Sequence, residues 1–327
     1  LDRSSRFDAR RRPNLVSLAL LLLLFLGTLQ AATGVSILPL GDSITRGDRT
    51  ADSLNGSYRY YLYTNLTSAG YDVDFVGSTT EPTFTHLVFD QDHDGHGGYT
   101  TGMFLSNQGT EPLKTWLDAY EPPDFVLLHI GTNDALYQVN HSTRLENLRT
   151  IIGILREAKP KVTILLATII PTTNAYRNQK QIIPFNAALP ALAASCTTAD
   201  SKVVLVDQYT GFDAATDTLA SDGIHPNAEG MKKMAAVWYA ALTKFLPPPT
   251  PAPAVVAVPG GAGVPNDLDG DGLYEDVNGN RRTDFADATL FFRQVSWIGA
   301  SEPLKAFDFN ANGRIDFADI VRLFQKL

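Results

Sequence analysis

Val35-Ser36-Ile37-Leu38-Pro39-Leu40-Gly41-Asp42-Ser43-Ile44-Thr45 runs from a short, strand-forming stretch into a Gly-Asp-Ser turn. The same alternation continues down the chain. Strand-like runs at 35–38, 73–76, 125–130, 162–168 and 203–206 alternate with amphipathic helical stretches at 58–69, 112–119, 142–158, 179–194 and 227–245. This order predicts an α/β domain, a parallel sheet with helices on both faces. Pro184 and Pro190 predict a break or kink in the fourth helical stretch. In open parallel sheets ligands sit beyond the carboxyl ends of the strands, which puts Ser43 within reach of a substrate. Gly, Asp and Ser also favour ordinary turns, so the tripeptide alone decides nothing.

Two further segments supply what a serine nucleophile needs. Gly131-Thr132-Asn133-Asp134 follows the apolar run 125–130, hence the same end of the same sheet. There the Asn133 amide can serve a developing oxyanion, or the segment can form a helix N-cap or Asx turn; the two are compatible. Asp222-Gly223-Ile224-His225-Pro226 precedes the last long helical stretch. A carboxylate three residues before a histidine can hold the Nδ1 proton and leave Nε2 free to act as base.

Taken together, Gly41-Asp42-Ser43, Gly131-Thr132-Asn133-Asp134 and Asp222-X-X-His225 resemble blocks I, III and V of the SGNH (GDSL) hydrolases. Block II is matched by Asp92-His93-Asp94-Gly95-His96-Gly97-Gly98-Tyr99, with Gly98 as the oxyanion glycine and Gly97 as its competitor. The resemblance implies a flavodoxin-like three-layer α/β/α sandwich around a five-stranded parallel sheet. It also implies catalysis by Ser43, His225 and Asp222 without a cofactor, and an oxyanion hole from Ser43, Gly98 and Asn133. Phe89 to His96, the 127–134 block and the 222–239 tail look most like the acetylxylan esterases of carbohydrate esterase family 3. The implied substrate is an acetylated polysaccharide. A short-chain lipase, lysophospholipase or thioesterase is the alternative within the fold, and a non-catalytic scaffold protein the alternative outside it. Asp90, Asp92, Asp94 and Gly95 also form an Asp-X-Asp-X-Asp-Gly string, a candidate cation loop or a polar wall of the cleft.

Composition changes at 247–265 to Pro, Ala, Val and Gly, which predicts an extended linker between a hydrolase domain over 33–246 and a small module over 266–327. In the module, Asp284-Phe285-Ala286-Asp287 recurs as Asp316-Phe317-Ala318-Asp319. Two segments match the twelve-residue EF-hand ligand spacing: Asp276, Asn278, Asn280, the Arg282 carbonyl, Asp284 and Asp287, and Asp308, Asn310, Asn312, the Arg314 carbonyl, Asp316 and Asp319. Gly313 holds the sharp-turn position of the second loop, but Arg281 holds it in the first, which puts that loop's geometry in question. Asp267, Asp269 and Asp271 form a third candidate site. The duplicated loop-helix unit resembles a dockerin, a small all-α calcium module that in its family docks onto a cohesin domain of a scaffold or cell surface.

The remaining composition bounds the setting. The chain has 327 residues, 44% hydrophobic, and a net charge of -8, which argues against nucleic acid as a partner. Arg3, Arg6, Arg10, Arg11 and Arg12 precede an apolar run over 15–29, so residues 1–32 read as an export signal and the product as secreted or surface-associated. That run of about 15 residues is short for a membrane span, which needs roughly 20, so no stable span is expected after cleavage. Cys196, the only cysteine, precludes an intrachain disulfide and reads as a packed hydrophobe. Sequons begin at Asn55, Asn65 and Asn140.

Overall fold

A computed structural model describes residues 34–48, 57–85, 87–249, 254–310 and 312–327. The expected export signal and the Asn55 sequon lie outside the described residues. Among the described residues six strands form the sheet: β1 (Val35–Gly41), β2 (Val73–Phe75), β3 (Asp94–Gly95), β4 (Phe125–His129), β5 (Thr163–Ala167) and β6 (Val203–Val206). Their order is β2-β1-β4-β5-β6, every pairing is parallel, and two-residue β3 pairs with the end of β1 beyond β2. The five expected strands are therefore present, and β3, too short to show a period, is added by its pairing.

Strand residues alternate between two cores, as a sheet buried on both faces requires. Leu38, Leu40, Val126, Leu128, Ile164 and Leu166 face one layer; Ile37, Phe75, Phe125, Leu127, Leu165 and Ala167 face the other. The second layer is covered by helices α1 (Tyr58–Ser68) and, near the domain's end, Ala228–Leu242, through Leu62, Leu66, Met231, Met234 and Trp238. On the first face lie α2 (Pro112–Leu117), α3 (His141–Ala158) and α4 (Ile183–Cys196), the last burying Phe185, Leu189, Leu192 and Cys196. Each fully buried Leu or Ile contributes about 1.5–3 kcal/mol, and these layers hold the strand ends rigid.

Of the break or kink expected from Pro184 and Pro190, no break occurs, and the irregularity falls just before Pro184. A π-helical turn over Asn178–Ile182 runs directly into α4, where Pro184 sits in the first turn and its missing N–H is least costly; Pro190 is carried inside the helix. The C-terminal module is built on α6 (Phe285–Ser301) and α7 (Phe317–Lys326), with α5 denoting Ala228–Leu242 before them. Its own core gathers Val277, Leu290, Phe291, Ile298, Phe307, Ile320 and Leu323. The linker expected over 247–265 is shorter than its composition suggested. Val258 is buried in the module core, Val256 N donates to Glu302, and the Gly261 and Ala262 amides donate to the Val258 and Asn278 carbonyls. Small residues made this stretch look coreless, but they let it lie close against Asn278, where a Cβ on Gly261 would come within 2.9 Å of the carbonyl.

Candidate active site

Ser43 opens a helical turn, Ser43–Arg46, directly beyond β1. Asp42 caps that turn by accepting the Ile44 amide at 3.0 Å, so the nucleophile candidate sits at a fixed N-terminus. Gly41 is required by close approach: a Cβ there would lie 2.3 Å from the His129 carbonyl and from Thr45 Oγ1. His225 reaches Ser43 from across the sheet edge, Nε2 to Oγ, at 2.9 Å. Its Nδ1 faces Asp222 Oδ2 at 2.8 Å. Asp222 Oδ1 also accepts the Ile224 and His225 amides at 2.9 and 3.0 Å. Burial pushes the Asp222 carboxyl up, but these amides and the imidazole outweigh it and hold it below the usual carboxylate range.

The Asp222–His225 loop turns at Gly223, with φ of 62°, where a Cβ would sit 1.9 Å from Thr173 Oγ1. Only glycine fits both the dihedral and the contact.

Asn133 lies in the turn Thr132–Leu136 after β4, and its Nδ2 donates to the Tyr99 carbonyl at 2.9 Å. One amide proton is thereby fixed and the second remains for an oxyanion. Asp134, fully buried, accepts the Thr101 amide at 2.9 Å and its hydroxyl at 2.7 Å, which ties this turn to the loop carrying Gly98. Of the two glycines, Gly97 packs on Asp48, 2.4 Å from a would-be Cβ, whereas Gly98, with φ of 81°, has no neighbour within 4 Å of that position. Gly98 is the one facing open space.

The Asp90 and Asp94 carboxylates are taken up by hydrogen bonds to other parts of the domain. Asp90 accepts the Phe75 amide, and Asp94 accepts the Ser78 amide, the Ser78 hydroxyl and the Tyr120 hydroxyl. This string braces the cleft wall. His93 is buried and neutral, its pKa pushed down to about 2 by desolvation, with Nδ1 accepting the Gly95 amide. Arg59, which sequence reasoning missed, is fully buried and donates to the carbonyls of Thr45, Arg46 and Gln91, clamping the Ser43 turn to the block around Asp92. A single arginine in an amphipathic helix carries no signal of such a role.

In the module, both twelve-residue loops close on themselves in the same way. The Asn280 and Arg281 amides donate to the Asp276 carboxylate, as those of Asn312 and Gly313 do to Asp308. Asn278 and Asp284 amides donate to Asp287, and those of Asn310 and Asp316 to Asp319. Arg281 takes φ of 66° against 79° at Gly313, so the first loop keeps the turn geometry despite its side chain. Asp276, Asp287 and Asp319 are fully buried. Among the described residues no Lys or Arg pairs with them; Arg282 and Arg314 reach only Asp284 and Asp316, at 3.9 Å each. Asp267, Asp269 and Asp271 converge with Glu275, which sequence reasoning missed, and Lys326 Nζ lies 2.8 Å from Asp271 and 2.5 Å from Glu275. An ammonium already counters that cluster.

The parallel sheet with Ser43, His225 and Asp222 at its carboxyl edge defines a three-layer α/β hydrolase scaffold. Residues 40–233 match the GDSL-like Lipase/Acylhydrolase family, and residues 274–327 match the Dockerin type I domain. The chain belongs to the GDSL-like Lipase/Acylhydrolase family and carries a dockerin domain at 274–327. A multidomain esterase of Ruminococcus flavefaciens is 30% identical over 239 residues, covering 66% of this chain and 29% of that protein. The chain thus spans less than a third of that curated relative. A solved carbohydrate esterase family 3 protein from Talaromyces cellulolyticus is 30% identical with a TM-score of 0.54, covering 64% of this chain and 97% of the other. A family 3 carbohydrate esterase from Clostridium thermocellum is 34% identical with a TM-score of 0.52, covering 64% and 96%. Among the described residues no helix is long and apolar enough to cross a membrane.

Proposed function

We infer that the protein is an exported esterase that removes O-acetyl groups from polysaccharide and is assembled onto a cohesin-bearing scaffold or surface through its calcium module. The observation that carries the chemistry is the unbroken relay Ser43 Oγ, His225 Nε2, His225 Nδ1, Asp222 Oδ2 at 2.9 and 2.8 Å. In it His225 takes the Ser43 proton as Oγ bonds to the acetyl carbon. The carbonyl oxygen turns negative and is met by the Ser43 and Gly98 amides and the Asn133 side chain. Collapse of the tetrahedral adduct breaks the bond to the sugar oxygen, which leaves with the proton from His225. Water, deprotonated by the same imidazole, then releases acetate and restores Ser43.

Similarity to carbohydrate esterases of family 3 supports the polysaccharide substrate, and the dockerin match supports the cohesin partner. The loop oxygens of the buried Asp276, Asn278, Asp287 and Asp319 and of the half-buried Asp308 and Asn310, with no protein cation paired to them among the described residues, fit calcium. Bound calcium would neutralise these carboxylates and fix both loops. Beside them lies an apolar groove of about 300 Å³ between α6 and α7, lined by Phe285, Phe292, Phe317, Val321 and Phe324 among others, a face suited to a docking partner.

Acetate release from acetylated xylan and hydrolysis of p-nitrophenyl acetate test the reading. Ser43→Ala should lose on the order of 10⁵-fold or more in kcat/KM. Equal rates in the two proteins, or a preference for octanoyl over acetyl esters, would refute it.

A further inference from the structure

A second concavity opens at the same edge of the sheet as Ser43. It is about 420 Å³, within the range of small-ligand sites, and is walled by Pro171, Thr172, Thr173 and Asn178 after β5 and by Tyr209, Phe212 and Asp213 after β6. Thr173 lines this cavity and touches the catalytic loop. Its amide donates to the Gly223 carbonyl at 2.9 Å, and Gly223 lies between Asp222 and His225.

The lining says what kind of molecule belongs there. It combines the Thr173 hydroxyl and the exposed Asp213 carboxylate with the ring of the half-buried Tyr209, beside the buried Phe212. A sugar residue offers hydroxyls that donate and accept around its rim and a face of C–H bonds that lies on an aromatic ring. An acyl chain offers no partner for the hydroxyl or the carboxylate, and this molecule shows what an apolar receptor looks like in the Phe-lined groove of its own module. The walls are also held in place. Thr172 N donates to Asn178 Oδ1 and Asn178 Nδ2 returns to the Thr172 carbonyl, while Tyr209 N donates to Thr168 Oγ1 and Asp207 Oδ1 at 3.0 Å each. A receptor fixed in advance loses little entropy on binding.

We propose that this cavity is a glycan subsite, which holds an unreacting sugar residue of the substrate chain beside the catalytic His225–Asp222 loop. The proposal rests on the polysaccharide reading above and deepens it. Binding energy from the neighbouring sugar positions the acetylated one against Ser43, so it acts on kcat/KM for oligosaccharides and not for a small aryl ester that cannot reach the cavity.

The test compares the full-length protein with Tyr209→Ala and Tyr209→Phe on acetylated xylo-oligosaccharides and on p-nitrophenyl acetate. The oligosaccharide-to-aryl ratio of kcat/KM should fall about tenfold in Tyr209→Ala and be restored by Tyr209→Phe, which keeps the ring. Saturation-transfer NMR of a deacetylated xylo-oligosaccharide on the Ser43→Ala protein should show binding, and adding Tyr209→Ala should abolish it; this reading does not depend on turnover. An unchanged ratio in a wild-type protein that does deacetylate the oligosaccharide overturns the subsite and leaves the proposed function standing. A wild-type protein that neither deacetylates nor binds the oligosaccharide overturns both. A loss in Tyr209→Ala confined to longer acyl esters overturns the subsite by making the cavity an acyl pocket.

Discussion

At the catalytic edge Asp222 meets two backbone amides and an imidazole, and the protein itself supplies every group the carboxylate needs. In the module Asp276, Asp287 and Asp319 are just as firmly held by amides, yet they are fully buried with no Lys or Arg beside them among the described residues. One region is complete as folded. The other leaves buried carboxylates that the proposed calcium would neutralise. The contrast implies that the esterase chemistry is independent of calcium and that the module's stability is not.

The largest effect that sharpens this contrast is expected at Asn133. Removing one oxyanion donor costs on the order of 10² to 10³ in turnover, so Asn133→Ala should lower kcat on p-nitrophenyl acetate by that factor, with calcium response unchanged. A loss below threefold would mean that the amide serves only Tyr99. Next in size is calcium removal. With calcium at about 100 times its dissociation constant, chelation should cost the module about 2.7 kcal/mol, read as lost amide-exchange protection in α6 and α7, while aryl acetate hydrolysis persists. Loss of both together would break the comparison.

A smaller effect separates the two loops. Arg281 holds a left-handed backbone where Gly313 does so freely, at a cost of roughly 1 kcal/mol, so Arg281→Gly should tighten the first loop's calcium binding about fivefold by calorimetry. The last expectation is a difference in sign with pH. Asp222 is held below the usual range, so its contribution to stability is present above the unfolded carboxylate pKa and is lost as pH falls through the folded one. Burial holds Asp287 and Asp319 above that range, so the folded apo module retains protons that the unfolded chain has lost. Its stability therefore falls as pH rises through the carboxylate range, opposite to Asp222. Thermal unfolding of the chelated protein across that range checks the sign, and a rise in module stability would contradict it.

Much of this was legible in the residues because it depends on near neighbours. The five long strands follow from runs whose period fits burial on both faces. Asp222 and His225 share one tight loop, and each twelve-residue loop closes on Asp287 or Asp319, in the first turn of a helix capped by Asp284 or Asp316. The acidic string at Asp90 to Asp94 stayed open between a cation loop and a polar cleft wall, since spacing suits either a cation or a set of buried hydrogen bonds. Partners from β2, the loop after it and Tyr120 decide the matter.

The sequence alone determined the order of elements, the choice of Ser43, His225 and Asn133 as candidates for ester chemistry, and the duplicated loops, because local spacing sets these. Tertiary structure alone decided that His225 lies 2.9 Å from Ser43 across 182 residues, that Arg59 is the buried clamp under the Ser43 turn, that Tyr99 orients Asn133, and that residues around Val258 belong to the module core. Those contacts join segments far apart in the chain, and they form only when burial of the two apolar layers, and of the module's own core, brings their backbones to fixed positions.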